Sequence, residues 1–477
     1  MTEVPLSFKN TNADPWAGLR AHFDQAEAPG FLARGYRRLL AHHYRVLIPG
    51  QARVLEIGCG DGELLTQLPN RDVTGVDLSS QQINRARRRL TQATFHVQAG
   101  EHLDIQGKFD AVILSETLNH AIDAQQILER IHTASTPETR LILNFHSNLW
   151  SPLFTLARWL GLRAAAPQSN WLASADVKNL LNLADWEVVR TEHHILVPLY
   201  LGGLGPWINR ILAPLLPFFC LTVFIVARPL RRPTENLPLL SVSVIIPARN
   251  EADNIAAAVA RTPQMGARTE LIFVEGHSQD DTWAQIQKVA AANPGLRIKT
   301  LRQTGRGKGD AVRAGFAAAS GDILMILDAD LTVPPEELPK FYNVIASGRA
   351  EFANGVRLVY PMDERAMQFL NLCANKAFGL FFTWLLGQPV KDTLCGTKVL
   401  RRAHYEKIAA NRAYFGDFDP FGDFDLLFGA AKQNLKIADI PIRYRERTYG
   451  ETNIHRWRHG WLLLRMVLFA ARKLKFV

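Results

Sequence analysis

Two aspartates separated by one residue, Asp328 and Asp330, follow directly after the apolar run Ile323–Leu327. Carboxylates arranged in this way at the end of a buried strand can bind one hard divalent cation together. A cation bound there can hold a diphosphate group and stabilise the negative charge that develops as a nucleotide leaves. The spacing therefore indicates transfer of a group from a nucleotide donor, with Mg²⁺ or Mn²⁺ at this pair.

A glycine-rich run, Val54–Gly62, lies much earlier in the chain and reads Val-Leu-Glu-Ile-Gly-Cys-Gly-Asp-Gly. Glycine has no Cβ, so a bound molecule can approach the backbone closely, and it readily adopts a positive φ angle. Asp77 ends the next apolar run, about 20 residues after the first glycine, where a carboxylate can accept hydrogen bonds from ribose hydroxyls. This second pattern indicates a nucleoside-containing cofactor.

Short apolar strands alternate with helical segments in both halves of the chain, which predicts an α/β protein with two mostly parallel sheets covered by helices on both faces. The segment Pro229–Pro238 is rich in proline and charge and lacks periodicity, as is typical of a linker. We therefore predict a first domain at 1–229, a linker at 230–240 and a second domain at 241–477 that ends in an amphipathic, basic segment.

The composition limits the classes of protein. Apolar residues make up 47% of the chain, enough for a substantial core in each domain. The four cysteines lie far apart in the sequence, which argues against a disulfide framework or a zinc site. The polar N-terminal stretch lacks the apolar segment of a signal peptide, so we expect a cytoplasmic protein.

The run Val54–Gly62 resembles the first motif of class I S-adenosylmethionine-dependent methyltransferases, because a glutamate precedes the glycines. The resemblance extends from about Gln51 to Pro229 and implies a Rossmann-like fold. It also implies S-adenosylmethionine as the cofactor, bound by Glu56, Gly58, Gly60 and Asp77, with Gly100 and Glu101 near the adenine. Methyl transfer sometimes needs a general base; His120 is the candidate, although it can also simply line the pocket or cap the next helix.

From about Ser241 to Phe469 the chain resembles the inverting family-2 glycosyltransferases of the GT-A fold, nearest to the polyprenol-phosphate sugar synthases. Three further segments carry this resemblance: Gly305–Ala311, Asp392–Gly396 and Ile440–Thr452. The resemblance implies a nucleotide-sugar donor and a cation held by Asp328 and Asp330. The residues that it assigns to donor binding are Pro247, Ala248, Asn250, Glu251, Glu275, Lys308, Asp328 and Arg447.

The acceptor is expected to be polyprenyl phosphate or a lipid-linked glycan. A glycan hydroxyl needs a general base, whereas a phosphate is already an anion and needs none. The candidate catalytic carboxylates are Asp423 and Asp425, in an acidic segment before a predicted helix, and Asp392, in the segment that resembles an acceptor-side motif. Asp423 and Asp425 can equally be surface acids or helix caps.

The C-terminal segment is basic, and its arginines Arg458, Arg465 and Arg472 recur every seven residues among aromatic and aliphatic side chains. This pattern and the apolar stretch 369–390 favour helices at the surface of an anionic membrane, and packing against the sheet is the alternative. We expect no nucleic acid partner and a peripheral location on the inner face of the cytoplasmic membrane.

Together these patterns predict a bifunctional, membrane-associated enzyme of polysaccharide biosynthesis. The second domain would transfer a sugar to a lipid acceptor, and the first would methylate a glycan-related or small substrate. The alternative is a glycosyltransferase that acts on a hydroxyl of a growing polysaccharide and carries a non-catalytic, S-adenosylmethionine-binding regulatory domain.

Overall fold

The computed structural model describes residues 14, 16–26, 30–159, 170, 172–231, 239–359, 369–412, 423–445 and 456–476. The chain forms two compact units, Met1–Leu230 and Arg231–Val477. Most of the predicted linker, 232–238, lies outside the described residues.

The first unit is built on a seven-stranded sheet of order β3-β2-β1-β4-β5-β7-β6. Its strands are β1 (Val54–Ile57), β2 (Val73–Asp77), β3 (Thr94–Val97), β4 (Phe109–Ser115), β5 (Ser135–His146), β6 (Trp186–His194) and β7 (Thr222–Pro229). Its helices are α1 (Ala17–Gln25), α2 (Phe31–Leu47), α3 (Glu63–Gln67), α4 (Ser80–Arg89), α5 (Ala124–Ile131), α6 (Ser151–Trp159), α7 (Ser174–Leu183) and α8 (Leu204–Leu212). Only β7 runs antiparallel to its neighbours among the described strands.

The central strands of this sheet are continuous apolar runs because helices cover both faces. Every residue of β1 is buried, and two separate core clusters fill the two sides of the sheet. Side-chain caps mark the start of two helices that connect the strands. Ser79 and Asp123 accept hydrogen bonds from backbone N–H groups in the first turns of α4 and α5, respectively. The predicted α/β class is confirmed for this unit.

The second unit contains a second seven-stranded sheet, of order β10-β9-β8-β11-β13-β12-β14. Its strands are β8 (Val242–Ala248), β9 (Thr269–Glu275), β10 (Arg297–Arg302), β11 (Ile323–Ile326), β12 (Phe352–Val356), β13 (Lys398–Arg401) and β14 (Ile437–Pro441). Its helices are α9 (Ile255–Arg261), α10 (Thr282–Ala292), α11 (Lys308–Ala318), α12 (Leu338–Ala346), α13 (Phe369–Leu386), α14 (Arg402–Ala410), α15 (Asp423–Lys432) and α16 (Arg456–Leu474). Here β13 is the antiparallel strand.

The antiparallel direction of β13 positions the functional residues of this unit. Because β13 starts at the edge where β8, β9 and β11 end, the segment before it reaches the carboxyl ends of those three strands. In open α/β sheets this edge is where ligands bind.

The two segments predicted to meet a membrane pack at least partly against the protein. Met466, Val467, Ala470 and Ala471 of α16 are buried in the same core cluster as residues of α13, while Arg465 and Arg472 of α16 are exposed. Across the described part of the chain, no helix combines the length and the apolar character that a membrane crossing requires.

The rings of His43 on α2 and His194 on β6 are buried and stack with their centroids 4.0 Å apart. Burial lowers the pKa of His43 well below its ordinary value, and the neighbouring His194 lowers it further.

Candidate active sites

The glycine-rich run of the first unit forms a tight turn at the carboxyl end of β1. The backbone N–H groups of Gly58 and Cys59 both donate to the carbonyl of Val76, at 2.7 and 3.0 Å. Gly58, Gly60 and Gly62 have φ angles of 76°, 52° and 73°, a region that favours glycine. Nothing lies within 4 Å of the position that a Cβ on Gly60 would take, so this part of the turn leaves room for a ligand.

Asp77 and Glu56 flank this turn. The Asp77 carboxylate accepts hydrogen bonds from the N–H groups of Gly60 and Ser79, both at 2.8 Å, and its remaining lone pairs can accept from ribose hydroxyls. Glu56 is buried, and its Oε2 has no hydrogen-bond partner among the described residues. Burial and then the charge of Asp77 raise the pKa of Glu56 well above its ordinary value. A buried carboxylate oxygen without a partner fits a ligand that donates a hydrogen bond or carries positive charge.

Gly100 and Glu101 lie in a 3₁₀ turn beyond β3. A Cβ on Gly100 would meet Ile57 at 3.0 Å, so the turn packs directly on the end of β1. Glu101 accepts a hydrogen bond from the N–H of Ile122 at 3.0 Å and another from the indole of Trp16 at 3.3 Å. Glu101 therefore joins the segment before α1 to the loop before α5.

Helix α1 is held beside the same edge of the sheet. The Asp24 carboxylate accepts a hydrogen bond from Ser79 at 2.5 Å, and the ring of Phe23 contacts the ring of His120 edge-on at 5.6 Å. His120 is half-buried and follows the 3₁₀ turn Thr117–Asn119. The structure thus brings the predicted base to the mouth of the sheet, under a helix that sequence reasoning had left without a role.

Sequence reasoning missed a polar cluster formed by Tyr36, Glu116 and His146. The Tyr36 hydroxyl donates to Glu116 Oε1 at 2.5 Å, and His146 Nε2 lies 3.1 Å from the same oxygen. These residues come from α2, from the loop after β4 and from the last position of β5, so no local spacing connects them. The available signal was that Glu116 and His146 each lie at the carboxyl end of an apolar strand.

In the second unit, three of the recognised motifs meet at one point. Lys308 Nζ, in the first turn of α11, forms an ion pair with Asp328 Oδ1 at 2.6 Å. Gly396 lies against this pair so closely that a Cβ at that position would overlap both the Asp328 carboxylate and the Lys308 ammonium group. Glycine is required there because the two charged groups occupy the space of a side chain.

Asp330, the second predicted cation ligand, accepts hydrogen bonds from the N–H of Thr332 at 3.2 Å and from its hydroxyl at 2.9 Å. In the described ranges no group of three or more His, Cys, Asp or Glu side chains could bind a metal by itself. Two carboxylates with an ammonium group beside them do fit a divalent cation whose other ligands come from the phosphates of a donor and from water.

The loops after β8 and β9 hold each other in place. The backbone N–H of Asn250 donates to Ser278 Oγ at 3.1 Å, and the Asn250 side chain accepts from the N–H of Gln279 at 2.8 Å. Glu275 accepts from the N–H of Ser278 at 2.6 Å, so the carboxylate at the end of β9 fixes its own loop. Glu251 accepts from the Asn254 side chain at 2.7 Å.

Pro247 and Ala248 form the end of β8 beside β9. They pair with Val274 and Glu275, and the carbonyl of Ala248 accepts a hydrogen bond from Gly276 at 2.9 Å. This pairing brings the two loops to the same carboxyl edge as Asp328.

Asp392 is completely buried and belongs to a network of hydrogen bonds. It receives a bidentate pair from Arg357, at 2.7 and 2.9 Å, and a hydrogen bond from Asn375 at 2.9 Å. Burial alone would raise the pKa of Asp392, but the charge and hydrogen bonds of Arg357 outweigh it and lower the pKa to about 2. The network fixes the segment that delivers Gly396.

Of the remaining predicted site residues, the structure describes the side chain of Asp425 but not those of Asp423 and Arg447. Asp425 lies in the first turn of α15, where its carboxylate accepts a hydrogen bond from Arg412 Nε at 2.8 Å. Asp423 begins the same helix, but its side chain lies outside the description. Arg447 lies outside the described residues.

Two family models match separate segments of the chain. Residues 243–409 match the model of glycosyl transferase family 2, and residues 49–184 match a methyltransferase domain model. A dolichol-phosphate mannosyltransferase of Pyrococcus furiosus is 30% identical over 223 residues, which cover 45% of this chain and 59% of that protein. A polyprenol monophosphomannose synthase of Mycolicibacterium smegmatis is 28% identical, over 46% of this chain and 82% of that protein.

Among solved structures, a SAM-dependent methyltransferase of Thermotoga maritima, described as a possible histamine N-methyltransferase, is similar to part of the chain. It is 16% identical, the match covers 42% of this chain and 91% of that one, and the TM-score is 0.34.

Each of the two α/β units therefore gathers polar side chains at the carboxyl edge of its sheet. The first unit contains the segment that matches a methyltransferase domain model, and the second contains the segment that matches the model of glycosyl transferase family 2.

Proposed function

We propose that the second unit transfers a sugar from a nucleotide diphosphate donor to polyprenyl phosphate, with inversion at the sugar carbon. The main observation behind this proposal is that Lys308, Asp328 and Gly396 contact one another at the carboxyl edge of the sheet. The similar dolichol-phosphate mannosyltransferase and polyprenol monophosphomannose synthase, whose names refer to polyprenol phosphates, support the choice of acceptor. The chain spans about six-tenths of the first of these relatives, so the substrate remains our proposal.

In this mechanism Asp328 and Asp330 would hold Mg²⁺ or Mn²⁺, and that cation would supply positive charge to the diphosphate of the donor. Lys308 adds a second positive charge beside the leaving phosphate, and the paired loops after β8 and β9 bind the nucleotide. Gly396 leaves space for these groups. An acceptor phosphate is already an anion, so it can attack the sugar carbon without a general base.

A hydroxyl of a lipid-linked glycan is the second candidate acceptor, and it would need such a base. Asp425 is the described carboxylate from the predicted acidic segment, and it is already paired with Arg412. That pairing supports the phosphate acceptor. For the same reason we assign Asp392 to positioning, since its oxygens face Arg357, Asn375 and backbone N–H groups.

We propose that the first unit binds S-adenosylmethionine at the glycine turn. Glu56, Gly58, Gly60 and Asp77 would surround the cofactor, which supplies a methyl group on a sulfonium centre, with Gly100 and Glu101 beside the adenine. The unpartnered Glu56 oxygen supports this assignment. The methyl acceptor would be a glycan-related or small molecule of the same pathway.

We also propose that the protein lies on the inner face of the cytoplasmic membrane. One surface of the first unit supports this; we call it the apolar surface and define it by α6 and residues 199–219. Trp159 and Phe218 on it are 81% and 71% exposed, and the indole of Trp150 joins its two parts by donating to the carbonyl of Phe219 at 3.0 Å. Residues 147–159 and 199–220 contain no acidic residue. Large exposed apolar patches without negative charge are typical of membrane contact.

The glycosyltransferase proposal is tested by a partition assay. The purified protein receives labelled UDP-, GDP- and dTDP-sugars, Mg²⁺ or Mn²⁺, and polyprenyl phosphate. We expect label in the organic phase, reduced about 100-fold or more by Asp330→Asn because bound cations contribute several kcal/mol. Asp322→Asn is the matched control, since Asp322 directly precedes β11, at the end of the strand away from Asp328 and Asp330. Donor hydrolysis without lipid product would favour a hydroxyl acceptor, and no response to any donor would refute the proposal.

The methyltransferase proposal is tested by calorimetric titration with S-adenosylmethionine. We expect binding that Asp77→Ala abolishes. Binding without release of S-adenosylhomocysteine across a panel of glycans would favour a regulatory domain, and absence of binding would refute a cofactor site at the glycine turn.

A further inference from the structure

The cluster of Tyr36, Glu116 and His146 lies beside the glycine turn of the first unit. Thr117, the residue after Glu116, donates a hydrogen bond to the carbonyl of Ile57 at 2.7 Å. A Cβ on Gly58 would meet the Thr117 hydroxyl oxygen at 2.7 Å. The loop that carries Glu116 therefore packs directly on the turn that would hold the methyl donor.

The backbone at Glu116 is in an unfavourable conformation. Its φ angle is 59°, in the left-handed region that residues other than glycine seldom adopt, and such conformations cost about 1–3 kcal/mol. The Glu116 side chain is 27% exposed, although Tyr36 and His146 both contact its carboxylate. A carboxylate that served only to fill a polar gap in the core would need neither this backbone conformation nor this exposure.

The protonation states within the cluster differ. Burial opposes ionisation of Glu116, but the charge and hydrogen bonds of His146 and Tyr36 prevail and lower its pKa to about 2. Burial and then the charge of Glu116 raise the pKa of Tyr36 well above its ordinary value, so the phenol keeps its proton. At neutral pH Glu116 is thus an acceptor only, and His146 Nε2, 3.1 Å from its Oε1, is placed to donate a hydrogen bond to it. With Nε2 directed at Glu116, Nδ1 is the ring nitrogen left to take a proton from a substrate, as in other carboxylate–histidine pairs.

We propose that this cluster is the methyl-acceptor site and that His146 is the general base for an acceptor hydroxyl. The proposal rests on the proposed binding of S-adenosylmethionine at the glycine turn. The acceptor O–H gives its proton to His146 Nδ1, and the oxygen lone pair forms the new bond to the methyl carbon. The carbon–sulfur bond breaks, its electron pair stays on sulfur, and S-adenosylhomocysteine leaves. Glu116 stabilises the imidazolium, and Tyr36 holds Glu116 in place.

The chemistry of the cluster selects among acceptor classes. A carboxylate acceptor has no proton to lose and would be repelled by Glu116. A hydroxyl needs a base, and the histidine–carboxylate pair supplies one.

The surroundings of the cluster suggest that the hydroxyl belongs to an amphiphile. Phe154 of α6 contacts the His146 ring edge-on at 5.3 Å, and Tyr200 packs against Gly35, next to Tyr36. Both contacts come from the two parts of the apolar surface. A sugar hydroxyl attached to a lipid chain could therefore place its chain along that surface while its hydroxyl reaches His146.

Three probes with matched eight-carbon chains test the acceptor class: n-octyl β-D-glucoside, octylamine and octanoate. Each is mixed with S-adenosylmethionine and the full chain, and release of S-adenosylhomocysteine is measured. We expect release with the glucoside, and a decrease of about 100-fold or more in His146→Ala, the usual contribution of a general base. Added imidazole should restore part of the rate in that variant, a result that lost packing would not produce. Glu116→Gln should lower kcat and leave the KM for S-adenosylmethionine unchanged.

His132→Ala is the control, because His132 is another partly buried histidine with a hydrogen bond, to the carbonyl of Ala184 at 2.7 Å. It should change neither the rate nor the response to imidazole. Calorimetric titration with S-adenosylmethionine shows whether each variant is folded, and Tyr36→Phe provides a milder change should His146→Ala not fold. Release with octylamine or octanoate alone, a rate that His146→Ala leaves intact, or cofactor binding without release from any probe would each overturn the assignment. Absence of cofactor binding in the unaltered protein would instead overturn the proposed function.

Discussion

Replacing Asp392 with asparagine is expected to destabilise the second unit by about 3–5 kcal/mol, the usual cost of removing one partner from a buried ion pair. The side chain of Arg357 is only 12% exposed and that of Asp392 is not exposed at all, so the change leaves a buried positive charge without its partner. Asparagine has nearly the same shape as aspartate, which makes the loss of charge the main perturbation.

The pKa of Asp392 gives a second measure of the same interaction. Lowering that pKa from 3.8 to about 2 corresponds to about 2.4 kcal/mol, at 1.36 kcal/mol per pKa unit. Because the folded-state pKa is depressed, this stabilisation is fully present above about pH 4 and disappears as the pH falls through 2. The unaltered protein should lose this stability in acid, and Asp392→Asn should lack that part of the pH dependence.

Urea unfolding followed by hydrogen exchange and mass spectrometry measures the second unit separately, through peptides that contain β13. The matched control is Glu336→Gln, because Arg261 and Glu336 form a bidentate pair at 2.9 and 2.9 Å that is exposed to solvent. Exposed pairs contribute about 0–1 kcal/mol. If Asp392 were instead the general base, Asp392→Asn would stay as stable as the control and lose turnover alone. That result would refute the positioning role.

Three further changes have expected outcomes. Gly396→Ala should weaken binding of a nucleoside diphosphate with Mn²⁺ by about tenfold or more, since overpacking costs about 1–3 kcal/mol. Gly295→Ala is the control and should leave binding unchanged, because a Cβ at that position meets nothing within 4 Å. Leu153→Glu should lower sedimentation with anionic phosphatidylglycerol vesicles about tenfold, and Leu183→Glu, equally exposed on α7, should leave it unchanged. Asp24→Ala removes the hydrogen bond that attaches α1 and should weaken S-adenosylmethionine binding about threefold to tenfold in calorimetry; unchanged affinity would mean that α1 does not cover the cofactor.

The sequence predicted the fold class because parallel strands buried on both faces appear as short apolar runs, such as Val54–Ile57 and Val242–Ile246. It did not predict the reversal of β13, since strand direction depends on long-range pairing rather than on local pattern. Lys308 and Asp328 form an ion pair although they are 20 positions apart. The sequence already suggested that they share one site, because the resemblance to family-2 glycosyltransferases assigns both to donor binding. Whether these residues act as proposed stays a prediction.

The Tyr36–Glu116–His146 cluster was beyond sequence reasoning for a physical reason. Tyr36 is 80 residues from Glu116 and 110 residues from His146 in the sequence, and only the folded sheet brings the three together. The left-handed backbone at Glu116 also leaves no trace in the amino-acid type, because glycine, the usual residue for that conformation, is absent there. Sequence reasoning selected His120 rather than His146 as the candidate base, because His120 lies between a predicted strand and a predicted helix.

The separation of the two sheets has a consequence for why the two domains are joined. In the part of the chain that the structure describes, neither sheet takes a strand from the other unit, and each of the four core clusters draws its residues from a single unit. A chain divided between Leu230 and Leu239 would keep both sheets and all four clusters whole, so each half should fold as an independent polypeptide. Covalent joining is then unnecessary for folding. Two separate genes that encode the halves could complement a cell that lacks the intact one, and any growth defect that remained would measure the advantage of physical linkage itself.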